Sequence, residues 1–132
     1  MKDNQFTGSS SPGYNVYTQD RTTIGLVIDG NTFSNGDEPI YMRGGLDWEI
    51  TDNTIYGDGD ASHIGIAARN GYGIIDGNTL IDSDGGILVD GITANQVVNI
   101  TNNDISQSAG RTAPSAVGIW AEDCASSIIN TG

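Results

Sequence analysis

The sequence predicts an all-β chain that winds into a parallel solenoid of about five coils. Three observations support this. A short motif centred on asparagine recurs at nearly even intervals, a second apolar strand recurs between its copies, and no window shows the apolar spacing of a helix. Glycine occurs 19 times in 132 residues, which suits many tight turns. The length is that of one domain, which we place at residues 1–132.

The recurring motif reads aliphatic residue, two small or polar residues, asparagine, small polar residue, large apolar residue. Residues 28–33 (IDGNTF) are one copy, and the others occupy 1–6, 50–55, 75–80 and 100–105. Successive central asparagines are 27, 22, 25 and 25 residues apart, an interval that suits one turn of a solenoid. These asparagines are Asn4, Asn31, Asn53, Asn78 and Asn103.

Stacking explains why equivalent positions share a residue type. One coil cannot bury its apolar face, but coils stacked about 4.8 Å apart bury a continuous core. The aliphatic and large apolar positions of the motif then form interior ladders. The asparagines bond side chain to side chain along a corner and satisfy backbone groups of the turn. We therefore interpret the five asparagines as a structural column.

A second strand recurs between the motif copies, at residues 16–19, 40–43, 66–69, 87–90 and 119–122. Because strand side chains alternate between faces, its first and third residues are predicted to point inward, and all of these are apolar except Thr18. The other residues point outward in two columns. One column is Tyr17, Tyr41, Ala67, Leu88 and Trp120, and the other is Gln19, Arg43, Arg69, Asp90 and Glu122.

With these repeats the chain resembles the right-handed parallel β-helix superfamily, the pectate-lyase-like fold of many polysaccharide lyases, polygalacturonases, epimerases and cell-surface repeat proteins. The resemblance covers nearly the whole chain and implies a right-handed parallel β-helix, a single-stranded solenoid, without fixing an activity. The signature motifs of the superfamily's polygalacturonases and alginate epimerases do not occur here. The lyases of the superfamily typically use Lys or Arg as the base, and Lys2 is the only lysine of this chain.

The outward columns of the second strand are typical of a glycan-binding surface. Aromatic rings cover the apolar faces of sugars, and charged groups hydrogen-bond to hydroxyls or uronate carboxylates. The alternative is that the arginines pair with Asp90 across coils and that the aromatic residues merely suit a β-sheet. The ligand-binding candidates are Tyr17, Tyr41, Arg43, Arg69, Asp90, Trp120 and Glu122.

Three long segments lead into this strand, and long loops on a rigid scaffold commonly carry function. They are residues 7–13, 57–63 and 106–116. The middle one contains Asp58 and Asp60, whose carboxylates suit a calcium ion. A solvated turn is the competing interpretation of this glycine-rich stretch.

His63, the only histidine, follows in the same segment. Together with Tyr41 and Arg69 it is the candidate group for removing and returning a proton on an acidic sugar, because imidazole is the side chain that titrates near neutral pH. The competing interpretation is that His63 takes no part in chemistry.

The net charge of −12 argues against nucleic acid, which needs clustered Lys and Arg, and against anionic membrane surfaces. No apolar run has the length of a membrane span, so we expect no membrane insertion. The sequence starts and stops within motif copies. We therefore expect either a segment of a longer solenoid or a unit that stacks end to end with its own copies through open strand edges.

Two functional hypotheses follow. The first is a non-catalytic module, extracellular or at the cell surface, that binds a polysaccharide or serves as a structural stack. The second is a polysaccharide lyase or epimerase, or a fragment of one, that acts on an acidic polymer through His63, Tyr41, Arg43 and Arg69. The missing catalytic motifs favour the first hypothesis.

Overall fold

The computed structural model describes residues 1–8, 13–19, 22–57, 63–108, 118–125 and 128–131, the last range as backbone only. Within these ranges the regular structure consists of strands and two isolated bridges, so the all-β prediction is confirmed. The same residues include no helix long and apolar enough to cross a bilayer.

Fifteen strands are described, and each is three or four residues long. They are β1 (Gln5–Thr7), β2 (Val16–Thr18), β3 (Val27–Asp29), β4 (Thr32–Ser34), β5 (Ile40–Arg43), β6 (Trp48–Thr51), β7 (Thr54–Tyr56), β8 (Ile66–Arg69), β9 (Gly73–Asp76), β10 (Thr79–Ile81), β11 (Ile87–Asp90), β12 (Val98–Thr101), β13 (Asp104–Ser106), β14 (Ile119–Glu122) and β15 (Ile128–Thr131).

These strands form three parallel sheets of five strands each. The first sheet has the order β1-β4-β7-β10-β13, the second β2-β5-β8-β11-β14, and the third β3-β6-β9-β12-β15. Every strand pairs with the one three elements later, so the chain returns to the same sheet after each coil. This is the predicted parallel solenoid, with a three-sided cross-section.

The asparagine motif spans a corner between two sheets. Ile28 lies in β3 of the third sheet and Phe33 in β4 of the first, while Gly30 and Asn31 make the turn between them. The sequence pattern joins the two strands into one motif because only two residues separate them. The second recurring strand of the sequence is the second sheet.

The register stacks equivalent apolar residues as predicted. One ladder is Phe6, Phe33, Ile55, Leu80 and Ile105, and the other is Ile28, Ile50, Ile75 and Ile100. The inner members of both ladders are buried. Phe6 and Phe33 stack with ring centroids 5.0 Å apart, an arrangement that adds to area burial. Ala121 departs from the prediction: it is exposed, because β14 has a described neighbour on one side only.

The corner asparagines form the predicted column, and its three central members are at most 1% exposed. Each side-chain oxygen accepts hydrogen bonds from the backbone and the amide of the asparagine one coil earlier. Asn53 Oδ1, for example, lies 2.9 Å from Asn31 N and 3.1 Å from Asn31 Nδ2. The Nδ2 of Asn53 donates in turn to Asn78 Oδ1 at 3.0 Å and to the Ile28 carbonyl at 2.9 Å. The column thus provides hydrogen-bond partners for backbone groups of the turn that the pairing of the strands leaves unpaired.

The residue before each corner asparagine adopts a left-handed conformation, with φ between 52° and 66°. Aspartate and glycine alternate at this position, in Asp3, Gly30, Asp52 and Gly77. A Cβ on Gly30 would lie 2.7 Å from Asp3 Oδ1, and one on Gly77 would lie 2.5 Å from Asp52 Oδ1. Each aspartate side chain therefore covers the glycine of the next coil, which accounts for the alternation.

Trp48 is the first residue of β6 in the third sheet, and it is 1% exposed. Gly73 lies beside it in register, and a Cβ there would come within 2.6 Å of Cδ2 and Cε3 of the indole. The glycine is thus required by packing, since the indole occupies the space of its missing side chain.

Candidate functional site

The outward face of the second sheet carries most of the predicted ligand-binding residues. Tyr17 pairs in register with Tyr41, and Arg43 with Arg69. Asp90 follows Arg69 on the next strand. The structure therefore brings an aromatic pair and a line of charged groups onto one face, as the alternation of the sequence predicts.

Three tyrosines form a cluster at the first two coils of this face. Tyr17 and Tyr41 have ring centroids 5.4 Å apart, and Tyr14 lies 5.0 Å from each of them. Tyr14 and Tyr17 are each 45% exposed. We call these three residues the tyrosine platform. Sequence analysis missed Tyr14, because it precedes β2 and therefore lies outside the alternating pattern.

The Arg69 side chain contacts other residues of the protein. Its Nη1 lies 3.1 Å from Asp90 Oδ2, and its guanidinium carbon lies 5.7 Å from the centre of the Tyr41 ring. The alternative interpretation, in which the arginines pair with Asp90 across coils, is therefore correct for Arg69. The contact with Tyr41 is within the range of a cation–π interaction.

Arg43 differs from its neighbour in the same column. It is exposed, and its guanidinium makes no ion pair or hydrogen bond within the described ranges. A groove of about 380 Å³ opens beside it, lined also by Gln19, Gly44 and Asn70. Guanidinium and amide groups dominate this lining, so the groove offers hydrogen-bond donors to an anionic or hydroxyl-rich ligand.

The predicted aromatic column is interrupted at its centre. The alternation predicts that Ala67 and Leu88 point outward, but they are 0% and 2% exposed. They lie in register between the bulky Tyr41 and Trp120, which flank them on either side. Trp120, at 45% exposure, and Glu122 therefore belong to a separate patch, three strands from Tyr41.

Glu38 is a further group at this site that sequence analysis missed. It precedes β5 and is half-buried. Burial raises the pKa of Glu38 above its ordinary value, although the charge of Arg69 and the Tyr14 hydroxyl act in the opposite direction. Desolvation first, and the charge of Glu38 second, raise the pKa of Tyr14. The platform therefore adjoins a carboxyl group that holds its proton more tightly than usual.

His63 lies in the loop before β8 and is 7% exposed. Its Nε2 lies 2.8 Å from Asp37 Oδ1. A base that acts on a sugar needs an accessible ring nitrogen, so this burial favours a structural role. The catalytic role of His63 with Tyr41 and Arg69 stays a prediction.

The calcium prediction rests on Asp58 and Asp60, which lie outside the described residues. Within the described ranges, no three His, Cys, Asp or Glu side chains group in a way that could hold a metal ion. Calcium binding by the loop between β7 and β8 stays a prediction.

Comparison with known proteins agrees with the architecture. A family model described as "right handed beta helix region" matches residues 1–131. No curated protein and no solved structure matches the chain.

Proposed function

The chain belongs to the right-handed β-helix family, and from this premise we propose that it is a module that binds an acidic polysaccharide on the outward face of its second sheet. It acts without catalysis, outside the cell or at the cell surface, where such polymers occur. The observation that carries this proposal is the tyrosine platform beside Arg43, whose exposed guanidinium has no ion-pair partner among the described residues.

The platform supplies the apolar half of the recognition. The three ring centroids lie within 5.4 Å of one another, so each ring limits the movement of the other two. Rings that are ordered before binding lose less conformational entropy when a sugar stacks on them. Tyrosine also presents a hydroxyl to the sugar's polar edge, which suits a ligand with apolar faces and a hydroxylated rim.

Arg43 supplies the charge preference. In a chain of net charge −12, an exposed guanidinium without an ion-pair partner among the described residues is unusual, since carboxylates outnumber cations more than threefold. Arg69 in the same column shows the usual outcome, because it is paired with Asp90. The planar guanidinium matches a carboxylate in a bidentate geometry, and Gln19 and Asn70 add amide donors. A uronate carboxyl is the sugar group that fits this set.

Calorimetric titration with polygalacturonate oligosaccharides tests the proposal. Arg43→Gln removes a charged hydrogen bond of about 1.5–3 kcal/mol and is expected to weaken binding about 10- to 100-fold. Tyr17→Ala is expected to weaken it about 2- to 10-fold through lost stacking. Tyr56 is the matched control: it is 44% exposed on the first sheet, and Tyr56→Ala should leave the affinity unchanged.

Two outcomes would overturn the proposal. Equal loss of affinity in Tyr17→Ala and Tyr56→Ala would show that the platform is not the site. Equal affinity for polygalacturonate and for a neutral glucan of the same length would show that Arg43 does not bind a uronate carboxylate. Lys2→Gln removes one positive charge from the first coil and controls for the change in net charge.

The second candidate function is cleavage or epimerisation of the same polymer, and one observation favours it. Glu38, whose pKa is raised by burial, lies beside the platform, where it and Tyr14 each influence the other's pKa. A carboxyl group tuned upward by burial is suited to proton transfer. Incubation with polygalacturonate should then produce unsaturated product, detected by ultraviolet absorbance, that disappears in Glu38→Gln. Absence of product with the wild-type chain would dismiss the lyase.

A further inference from the structure

The outward face of the third sheet holds a second groove, on a different side of the solenoid from the tyrosine platform. Its volume is about 370 Å³, and it spans three coils. Glu49, Ile74 and Asn99 lie side by side in register along β6, β9 and β12 and form part of its lining. Sequence analysis did not find this groove, because its lining combines different residue types from coil to coil.

The most exposed apolar side chains of this groove are aliphatic. Ile74 is 37% exposed and Val97 is 39% exposed, and half-buried Tyr72 also lines the groove. Glu49 separates Ile74 from Val27 of the first coil, which is 40% exposed. Branched aliphatic side chains exposed together on one sheet face are a mark of an interaction surface.

The charge of the groove is the reverse of that on the second sheet. Asp47 and Glu49 line it and are exposed, and no Lys or Arg contributes to its described lining. The groove beside Arg43 has nearly the same volume but a cationic lining. A ligand that binds the acidic groove must therefore be neutral or positively charged, which excludes the uronate polymer proposed for the second sheet.

Three kinds of ligand remain for this groove: a second copy of the chain, a neutral glycan and a basic polypeptide segment. The first two fit it less well than the third. A second copy of the chain carries the same net charge of −12, so the two would repel one another. A neutral glycan prefers exposed aromatic faces, whereas Trp48 is 1% exposed, Tyr72 is half-buried, and the more exposed apolar side chains here are Ile74 and Val97. A polypeptide segment with aliphatic side chains between basic ones matches both these side chains and the carboxylates.

We propose that this groove docks a basic segment of another protein, with aliphatic side chains on Ile74 and Val97 and Lys or Arg side chains on Asp47 and Glu49. Long basic side chains suit the arrangement because their methylene stems pack on apolar surface while their charged ends reach carboxylates at the rim. The acidity of the whole chain increases the rate of encounter with such a partner.

Fluorescence anisotropy with a labelled peptide of alternating leucine and lysine tests this proposal. Asp47→Asn with Glu49→Gln is expected to weaken binding about 2- to 10-fold, and Ile74→Thr about 3- to 5-fold. The matched control for charge is Asp104→Asn with Asp123→Asn, which removes two exposed carboxylates away from the groove. It should leave the affinity nearly unchanged.

Three results would overturn the proposal. Equal weakening by the groove and control pairs would mean that the peptide responds only to net charge. Equal binding of a serine–lysine peptide would mean that the aliphatic side chains of the groove are not used. Displacement of the peptide by a neutral glucan would make the groove a glycan site. Because Glu49 lies on the third sheet and Asp47 directly precedes its strand β6, polygalacturonate binding should persist in their variants, so failure here is distinguishable from failure of the polysaccharide proposal.

Discussion

Replacement of Asn53 by alanine tests the corner column at its central member, which is 1% exposed. The Asn53 side chain takes part in four hydrogen bonds, accepting two from Asn31 and donating one each to Ile28 and Asn78. Asn31 Nδ2 keeps other acceptors after the replacement, whereas the Asn31 backbone N–H has no other described acceptor. A buried donor left unsatisfied costs about 1–3 kcal/mol, and each further lost bond costs about 0.5–1.5 kcal/mol. With one unsatisfied donor and the two lost bonds to Ile28 and Asn78, we expect the free energy of unfolding to fall by about 2–6 kcal/mol.

Urea titration followed by circular dichroism measures this loss by linear extrapolation. Asn4→Ala is the matched control, because Asn4 occupies the same motif position but is exposed at the first coil. An exposed substitution of this kind changes stability by about 0.5 kcal/mol or less. Equal losses for Asn53→Ala and Asn4→Ala would refute the reasoning that burial in the stack, rather than asparagine at this turn, provides the stability.

Three further predictions concern packing, pH and association. Gly73→Ala should destabilise the fold by about 1–3 kcal/mol, because its Cβ would meet the Trp48 carbonyl oxygen and the Trp48 ring. Gly118→Ala should be tolerated, because no atom of the described residues lies within 4 Å of the new Cβ. Thr101 and Asn102 hydrogen-bond to Asp76 and hold its pKa below the ordinary 3.8. The stability that the ionised Asp76 provides is present above that value and is lost as the pH falls through the folded pKa. The urea midpoint should therefore fall between about pH 5 and about pH 3, and it should fall less in Asp76→Asn than in the wild type. Sedimentation velocity should show concentration-dependent growth if copies stack end to end through open strand edges, and a monomer at all concentrations would contradict that stacking.

The fold could be predicted from the sequence because stacking forces equivalent positions to share chemistry. The asparagine column and the two apolar ladders are visible in the sequence as repeats. The sequence does not separate the third sheet from the first, because β3 and β4 meet across only Gly30 and Asn31 and so form one continuous motif. The sequence does not explain the Asp–Gly alternation at the same corner, since its cause is contact between successive coils.

The candidate site could be predicted only in part. Alternation along the second sheet located Tyr17, Tyr41 and Arg43, since period two is a property of every strand. It could not locate Tyr14, which reaches the platform from outside a strand, nor show that Leu88 is covered by its neighbours. Nor could it distinguish the two arginines, because pairing of Arg69 with Asp90 depends on side-chain geometry.

A crystal structure of the chain with a bound galacturonate oligosaccharide tests the central claim most directly. The account predicts a sugar ring stacked on Tyr17 or Tyr41 and a uronate carboxylate within hydrogen-bonding distance of the Arg43 guanidinium. A saccharide bound in the acidic groove of the third sheet, or one that leaves Arg43 free, would contradict it.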